Sequence, residues 1–160
     1  MLAEKYKIVP ILSDLDLTTG AAMPGDCINM AKYHDCTFIV GLQTLGGAAI
    51  YLKVYSGASD AAVTTALTFR YAFGGAATGS ASSDVLTAWA TSANLSIAHA
   101  TYDNYLLVVH IRGDEMDTAN GHKYLTIQFE DTDGGATGNA QVHAILTPRY
   151  SNNRSLSALA

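Results

Sequence analysis

Thr37-Phe38-Ile39-Val40-Gly41-Leu42, the glycine pair Gly46-Gly47, and then Ile50-Tyr51-Leu52-Lys53-Val54-Tyr55 form the stretch that decides the fold class. In the second run Ile50, Leu52 and Val54 point one way and Tyr51, Lys53 and Tyr55 the other, which is the two-residue period of a β-strand. The first run is apolar on both faces, as in a strand at the centre of a packed sheet. The glycine pair between them marks a turn.

The same period recurs on either side. Leu67, Phe69, Tyr71 and Phe73 alternate with Thr68, Arg70 and Ala72 and predict a half-buried strand with an aromatic inner row. Tyr124 to Phe129 alternates with Leu125, Ile127 and Phe129 inward, and Tyr105 to Ile111 is apolar on both faces. Short strands are expected at Cys27–Met30, around Leu95–Ile97 and at Val142–Leu146. Residues 74–84 read as a loop of small residues, and Asp131–Gly138 as a long turn. Leu2, Tyr6 and Val9 have a roughly helical spacing that Pro10 ends, so residues 1–12 read as a short helix or an extended arm. The sum is an all-β chain of about eight strands, an antiparallel sandwich of the jelly-roll or Greek-key kind. Its organisation is an arm and loop over residues 1–24, the sandwich over 25–150 and a polar tail over 151–160.

Composition narrows the function classes. The charged fraction is 14% and the net charge −5, while Ala, Thr, Gly and Ser supply 66 of the 160 residues. The nine Lys and Arg are scattered, which argues against a nucleic-acid partner. Neither a long apolar helix nor an apolar leader segment stands out, so no membrane partner is expected. Cys27 and Cys36 lack metal-ligand spacing and read as buried reduced thiols, with a disulfide between neighbouring strands as the alternative.

Candidate chemistry is sparse. His34, His99, His110, His122 and His143 form no metal-binding motif and read as surface or strand-edge residues, although His110 and His143 would approach each other if their strands paired. The acidic pairs Asp14/Asp16 and Asp114/Glu115/Asp117 fall in predicted turns. Asp131-Thr132-Asp133-Gly134-Gly135 begins like a calcium loop but lacks its later ligands, and a hairpin turn accounts for it. Arg112-Gly113-Asp114 reads as a strand exit into a turn. The expectation is therefore a non-enzymatic protein with no cofactor and no metal, acting through its surface. Tyr51 and Tyr55, and Tyr105, Leu107 and Val109, lie on second faces that something must cover, and they are the candidate oligomer interface. Tyr6, Ile8, Val9 and Ile11 in the N-terminal arm, and Leu156 and Leu159 in the tail, are candidates for ordering against a partner.

Several short segments carry a family resemblance. They are Gly25-Asp26-Cys27-Ile28-Asn29-Met30 followed by Tyr33 and Thr37-Phe38-Ile39-Val40, Leu52-Lys53-Val54-Tyr55-Ser56-Gly57, Phe69-Arg70-Tyr71, Tyr102-Asp103 ahead of Leu106-Leu107-Val108-Val109, Asp114-Glu115-Met116, and Pro148-Arg149-Tyr150. Together they resemble the capsid decoration, or cement, proteins of tailed bacteriophages over roughly residues 1–150. The resemblance implies a jelly-roll-like sandwich that trimerises on the outer surface of an icosahedral head and binds the major capsid protein. The arm residues Tyr6, Ile8, Val9 and Ile11 would then be the capsid contact. The competing expectation is a carbohydrate- or receptor-binding sandwich of a phage fibre or adhesin, with Trp89, Tyr102-Asp103-Asn104 and Tyr105 as a sugar platform.

Overall fold

In the computed structural model, the described residues are 5–18, 20, 22–150 and 157–159. They form β1 (Lys7–Asp16), β2 (Met23–Pro24), β3 (Ile28–Asn29), β4 (Tyr33–Gly47), β5 (Ile50–Gly57), β6 (Thr65–Ala66) and β7 (Phe69–Phe73). These are followed by β8 (Ala90–Ser92), β9 (Leu95–Ile97), one helical turn α1 (His99–Tyr102), β10 (Leu106–Arg112), β11 (Tyr124–Glu130) and β12 (Ala136–Pro148). Every strand pair is antiparallel.

The pairing is nested. β1 pairs with β12, β2 and β3 with β11, β4 with β10, and β5 with β9 and β6. The chain is thus one long ribbon doubled back on itself and wrapped into two sheets, joined by the further pairs β4–β12 and β5–β11. The resulting orders, β1-β12-β4-β10-β7-β8 in sheet A and β2-β11-β5-β6 in sheet B, are those of a jelly roll in which the β7–β8 hairpin widens sheet A. The all-β sandwich expected from the sequence is the observed architecture.

The inner faces follow the alternation. Ile50, Leu52 and Val54 of β5 and Leu125, Ile127 and Phe129 of β11 are buried from sheet B. Cys36, Phe38, Val40 and Leu42 of β4 meet them from sheet A. Phe38 has Val109 on one side and Ala144 on the other, and Leu42 lies beside Ala140. Small inward residues thus leave room for large ones in the adjacent strand, which is how a close-packed interior is filled. The ribbon turns from sheet A into sheet B between Gly47 and Ile50. There Gly47 (φ +70°) lies so close to the Gly135 carbonyl that a Cβ would sit 1.9 Å from its oxygen. Asp131 closes the facing β11–β12 connection by accepting from the N–H of Gly134 (2.9 Å) and of Ala136 (3.0 Å), so this segment is a hairpin turn.

Two expectations need correcting. The N-terminal segment is neither a helix nor an arm from Lys7 onward: it is the edge strand of sheet A. Pro10 fits because an edge strand can spare an N–H, and register shifts between Pro10 and Leu12 and between Ser13 and Leu15 bend the strand around the core. Val9 and Ile11, expected as capsid contacts, are core residues at 4% and 3% exposure. In β10 the parity is also the reverse of that expected. Leu107 and Val109 point into the core, opposite Val40 and Phe38, and Leu106, Val108 and His110 take the outer face. Leu107 and Val109 are therefore not an oligomer interface. Of the tail, Leu156 lies outside the described residues, whereas Ala158 and Leu159 fold back on β3. Asn29 N–H donates to the Ala158 carbonyl (2.8 Å), and Ile28 bridges to Leu159.

Candidate functional site

The outer face of sheet A is built by register. One row runs from Arg70 through His110, Thr37 and Ile145 to Ile8. The next runs from Ala72 through Val108, Ile39 and His143 to Pro10. Apart from Arg70 at one end, neither row contains a Lys, Arg, Asp or Glu. At the β1 end Ile8 is 44% exposed, with Pro10 exposed beside it. Uncharged strand faces lose little solvation when covered, and contiguous exposed apolar surface marks interaction sites.

At the other end of the rows lies a cleft of about 350 Å³ between Trp89, Arg70, Val108, His110 and Thr37. Ala90 pairs with Tyr71, so Trp89 continues the register to a position opposite Ala72, beside Val108. The 74–89 segment that delivers Trp89 is tied to the sheet rather than loose. Gly75 N–H donates to the Val85 carbonyl (2.7 Å), Thr87 N–H to the Phe73 carbonyl (2.8 Å), and Phe73 N–H to Thr87 Oγ1 (3.1 Å). Trp89 is the chain's only tryptophan. It keeps 52% of its surface exposed.

The structure separates the residues of the expected sugar platform. Tyr102 stacks on Phe73, with ring centroids 3.8 Å apart and planes at 10°, and Tyr105 packs edge-on against Tyr102. Asp103 Oδ1 accepts from Leu45 N–H (2.7 Å), and Asn104 Oδ1 accepts from Thr44 N–H (3.5 Å). Asp103 and Asn104 thus fasten the end of α1 to β4, and the two tyrosines pack it against Phe73 of β7. Trp89 stands apart from them, with Arg70, His110 and Thr37 as its polar neighbours.

On the outer face of sheet B, Tyr51 and Tyr55 flank Lys53, as the alternation predicts, and are half-buried. Lys53 Nζ donates to Glu130 Oε2 (2.6 Å), and Gln128 Nε2 (2.6 Å) and Tyr55 Oη (3.2 Å) both donate to Glu130 Oε1. Burial, the neighbouring Glu130 charge and its hydrogen bond raise the Tyr55 hydroxyl above its ordinary range. Thr126 and Gln128, also on this face of β11, are buried beneath a depression of about 380 Å³ walled by Asp26, Cys27, Asp60 and Leu159.

The histidines are placed as follows. β10 and β12 both pair with β4 and not with each other, so His110 and His143 stand two strands apart. His110 Nδ1 hydrogen-bonds Thr37 Oγ1 (3.0 Å). His122 is buried, its Nδ1 held by Ser56 Oγ (2.9 Å), which the Asn120-Gly121-His122 turn did not announce. Among the described residues, no three of His, Cys, Asp and Glu are grouped to hold a metal ion. Both cysteines are free and buried. Burial, with Asp35 adjacent, pushes the Cys36 thiol well up and keeps it protonated. Arg112 pairs with Asp114 (2.7 Å) and its N–H donates to Glu115 Oε2 (2.8 Å), so the Arg-Gly-Asp tripeptide is the start of a capped turn.

No protein-family model and no curated protein sequence matches the chain. Among solved structures it is similar to the SPBc2 prophage-derived protein YomS, at 9% identity over 88% of this chain and 91% of that chain, with a TM-score of 0.49. At that identity and score the likeness says nothing about function.

Proposed function

We propose that this chain is a non-enzymatic structural protein of a tailed-bacteriophage virion, a head decoration protein that binds the major capsid protein lattice as a trimer. The observation that carries the reading is the uncharged outer face of sheet A at its β1–β12 edge. Ile8, Pro10, Ile39 and Ile145 lie there in neighbouring rows with no charged side chain between them. Such a surface suits contact with a repeating lattice, where many weak copies add through avidity. The family resemblance points the same way, and the jelly roll is an architecture used for shell-building domains, although fold alone assigns no function. In this reading Ile8 and Pro10, with Tyr6 just ahead of β1, meet the shell. Tyr51 and Tyr55 on the other sheet meet neighbouring copies.

The test is direct. Purified protein should elute at trimer mass in light-scattering chromatography and co-sediment with expanded phage heads. Ile8→Asp should weaken head binding at least tenfold without lowering the unfolding temperature. A monomer that ignores heads overturns the reading.

A further inference from the structure

The cleft at the β7–β8 end of sheet A has a chemistry that shell contact does not call for. Its floor and wall are an ordered donor row. Arg70 lies directly opposite His110, and His110 opposite Thr37, so the three side chains line one face across neighbouring strands, about 10 Å from end to end. Thr37 Oγ1 occupies His110 Nδ1 at 3.0 Å, which fixes the ring and leaves Nε2 as its remaining polar atom. The Arg70 guanidinium makes no ion pair or hydrogen bond among the described residues, and no Asp or Glu lines the cleft. Trp89, half of its surface in solvent, completes the cleft with a flat apolar face and an N–H donor.

We propose that this cleft binds a glycan through one carboxylated sugar residue, a uronic acid. The sugar's C–H face lies against the Trp89 indole, its carboxylate takes the planar fork of Arg70, and its hydroxyls meet His110 and Thr37. Arginine is the residue suited to two parallel hydrogen bonds to a carboxylate. A single cation fits one acidic residue in a chain. A nucleic-acid strand would need a basic track along successive phosphates, and here Arg70 is the cleft's only cation on a protein of net charge −5. The site would give the protein a hold on acidic bacterial surface polysaccharide at the β7–β8 end of sheet A, opposite the β1 edge proposed to meet the shell.

Because Trp89 is the only tryptophan, indole emission excited selectively over the tyrosines reads this cleft alone. Titration with tri-galacturonate should shift and saturate the emission with a Kd below about 1 mM. Maltotriose and oligo-dT of similar length should leave it unchanged. Arg70→Gln should weaken the galacturonate response at least tenfold while retaining head binding, and calorimetry on Trp89→Ala should show no heat of binding. If Trp89→Ala fails to fold, Arg70→Gln carries the test alone. Equal binding of maltotriose, saturation by oligo-dT, or no response to galacturonate each overturns the proposal. So does an emission shift on raising protein concentration alone, or loss of head binding in Arg70→Gln, since either outcome makes the cleft an assembly contact.

Discussion

Lys53 Nζ lies 2.6 Å from Glu130 Oε2 on the outer face of sheet B, and both are side chains of paired central strands. Burial alone would push the Glu130 carboxyl up, but hydrogen bonds from Lys53 and Gln128, with the Lys53 charge and Tyr55, outweigh it and hold the carboxyl below its ordinary 4.5. The Glu130 hydrogen bond, working against burial, raises Lys53 above its ordinary 10.5. A carboxylate with a depressed folded value contributes stability that is complete above the ordinary value and lost as pH falls through the folded one. A raised amine contributes below its ordinary value and loses it as pH rises through the folded one. The pair therefore supports the fold between about pH 4.5 and 10.5. Urea midpoints of Glu130→Gln should show a flatter acid limb than the parent, and an unchanged limb would remove the pair from the acid response. Lys53→Met should cost about 1–2 kcal/mol at pH 7, less than a fully buried pair because the Lys53 side chain keeps 23% exposure.

Adjacent residues of β10 should behave oppositely. Leu107 is fully buried and Leu106 faces outward. Leu107→Ala should cost about 2–5 kcal/mol by cavity formation, and Leu106→Ala about 1 kcal/mol or less. Chemical denaturation of the two variants measures this, and equal losses would mean that the parity of β10 is wrong.

Gly47 should tolerate no side chain. Its φ of +70° disfavours any L-residue, and a Cβ would collide with the Gly135 carbonyl. Gly47→Ala should lower stability by at least about 2 kcal/mol, whereas Gly20→Ala, with open space around it, should be close to neutral.

The Cys36 thiol should be silent in the folded protein. Cys36 has no exposed surface and its thiol is held protonated. Its alkylation rate should track global unfolding, rising steeply only across the denaturation midpoint. Rapid native-state labelling of Cys36 would show that β4 opens locally.

The alternation of β5 and β11 was readable because aliphatic and Phe side chains occupy one side of each strand and polar or Tyr side chains the other, and the pattern leaves no choice. β10 was not, since Leu106 to Ile111 is apolar at five of six positions and only its partners decide which row faces the core. β1 was misread because Pro10 normally ends regular structure, and its tolerance depends on the edge position that β12 creates from far along the chain. The Trp89 cleft was invisible for the same reason. Arg70, His110 and Thr37 are distant in sequence and meet only through two strand registers, while the small-residue run before Trp89 resembles a linker more than a hydrogen-bonded support.

The nested ribbon has a consequence for synthesis on the ribosome. β12 is seated between β1 and β4, so sheet A has an open slot until Ala136–Pro148 has been translated. Earlier in translation, β1 lacks its partner β12 and β4 presents a bare edge fifteen residues long. Such edges invite pairing with other chains. Prematurely terminated products should therefore be insoluble even when they contain most of the sandwich, and productive maturation should begin only after the last strand emerges.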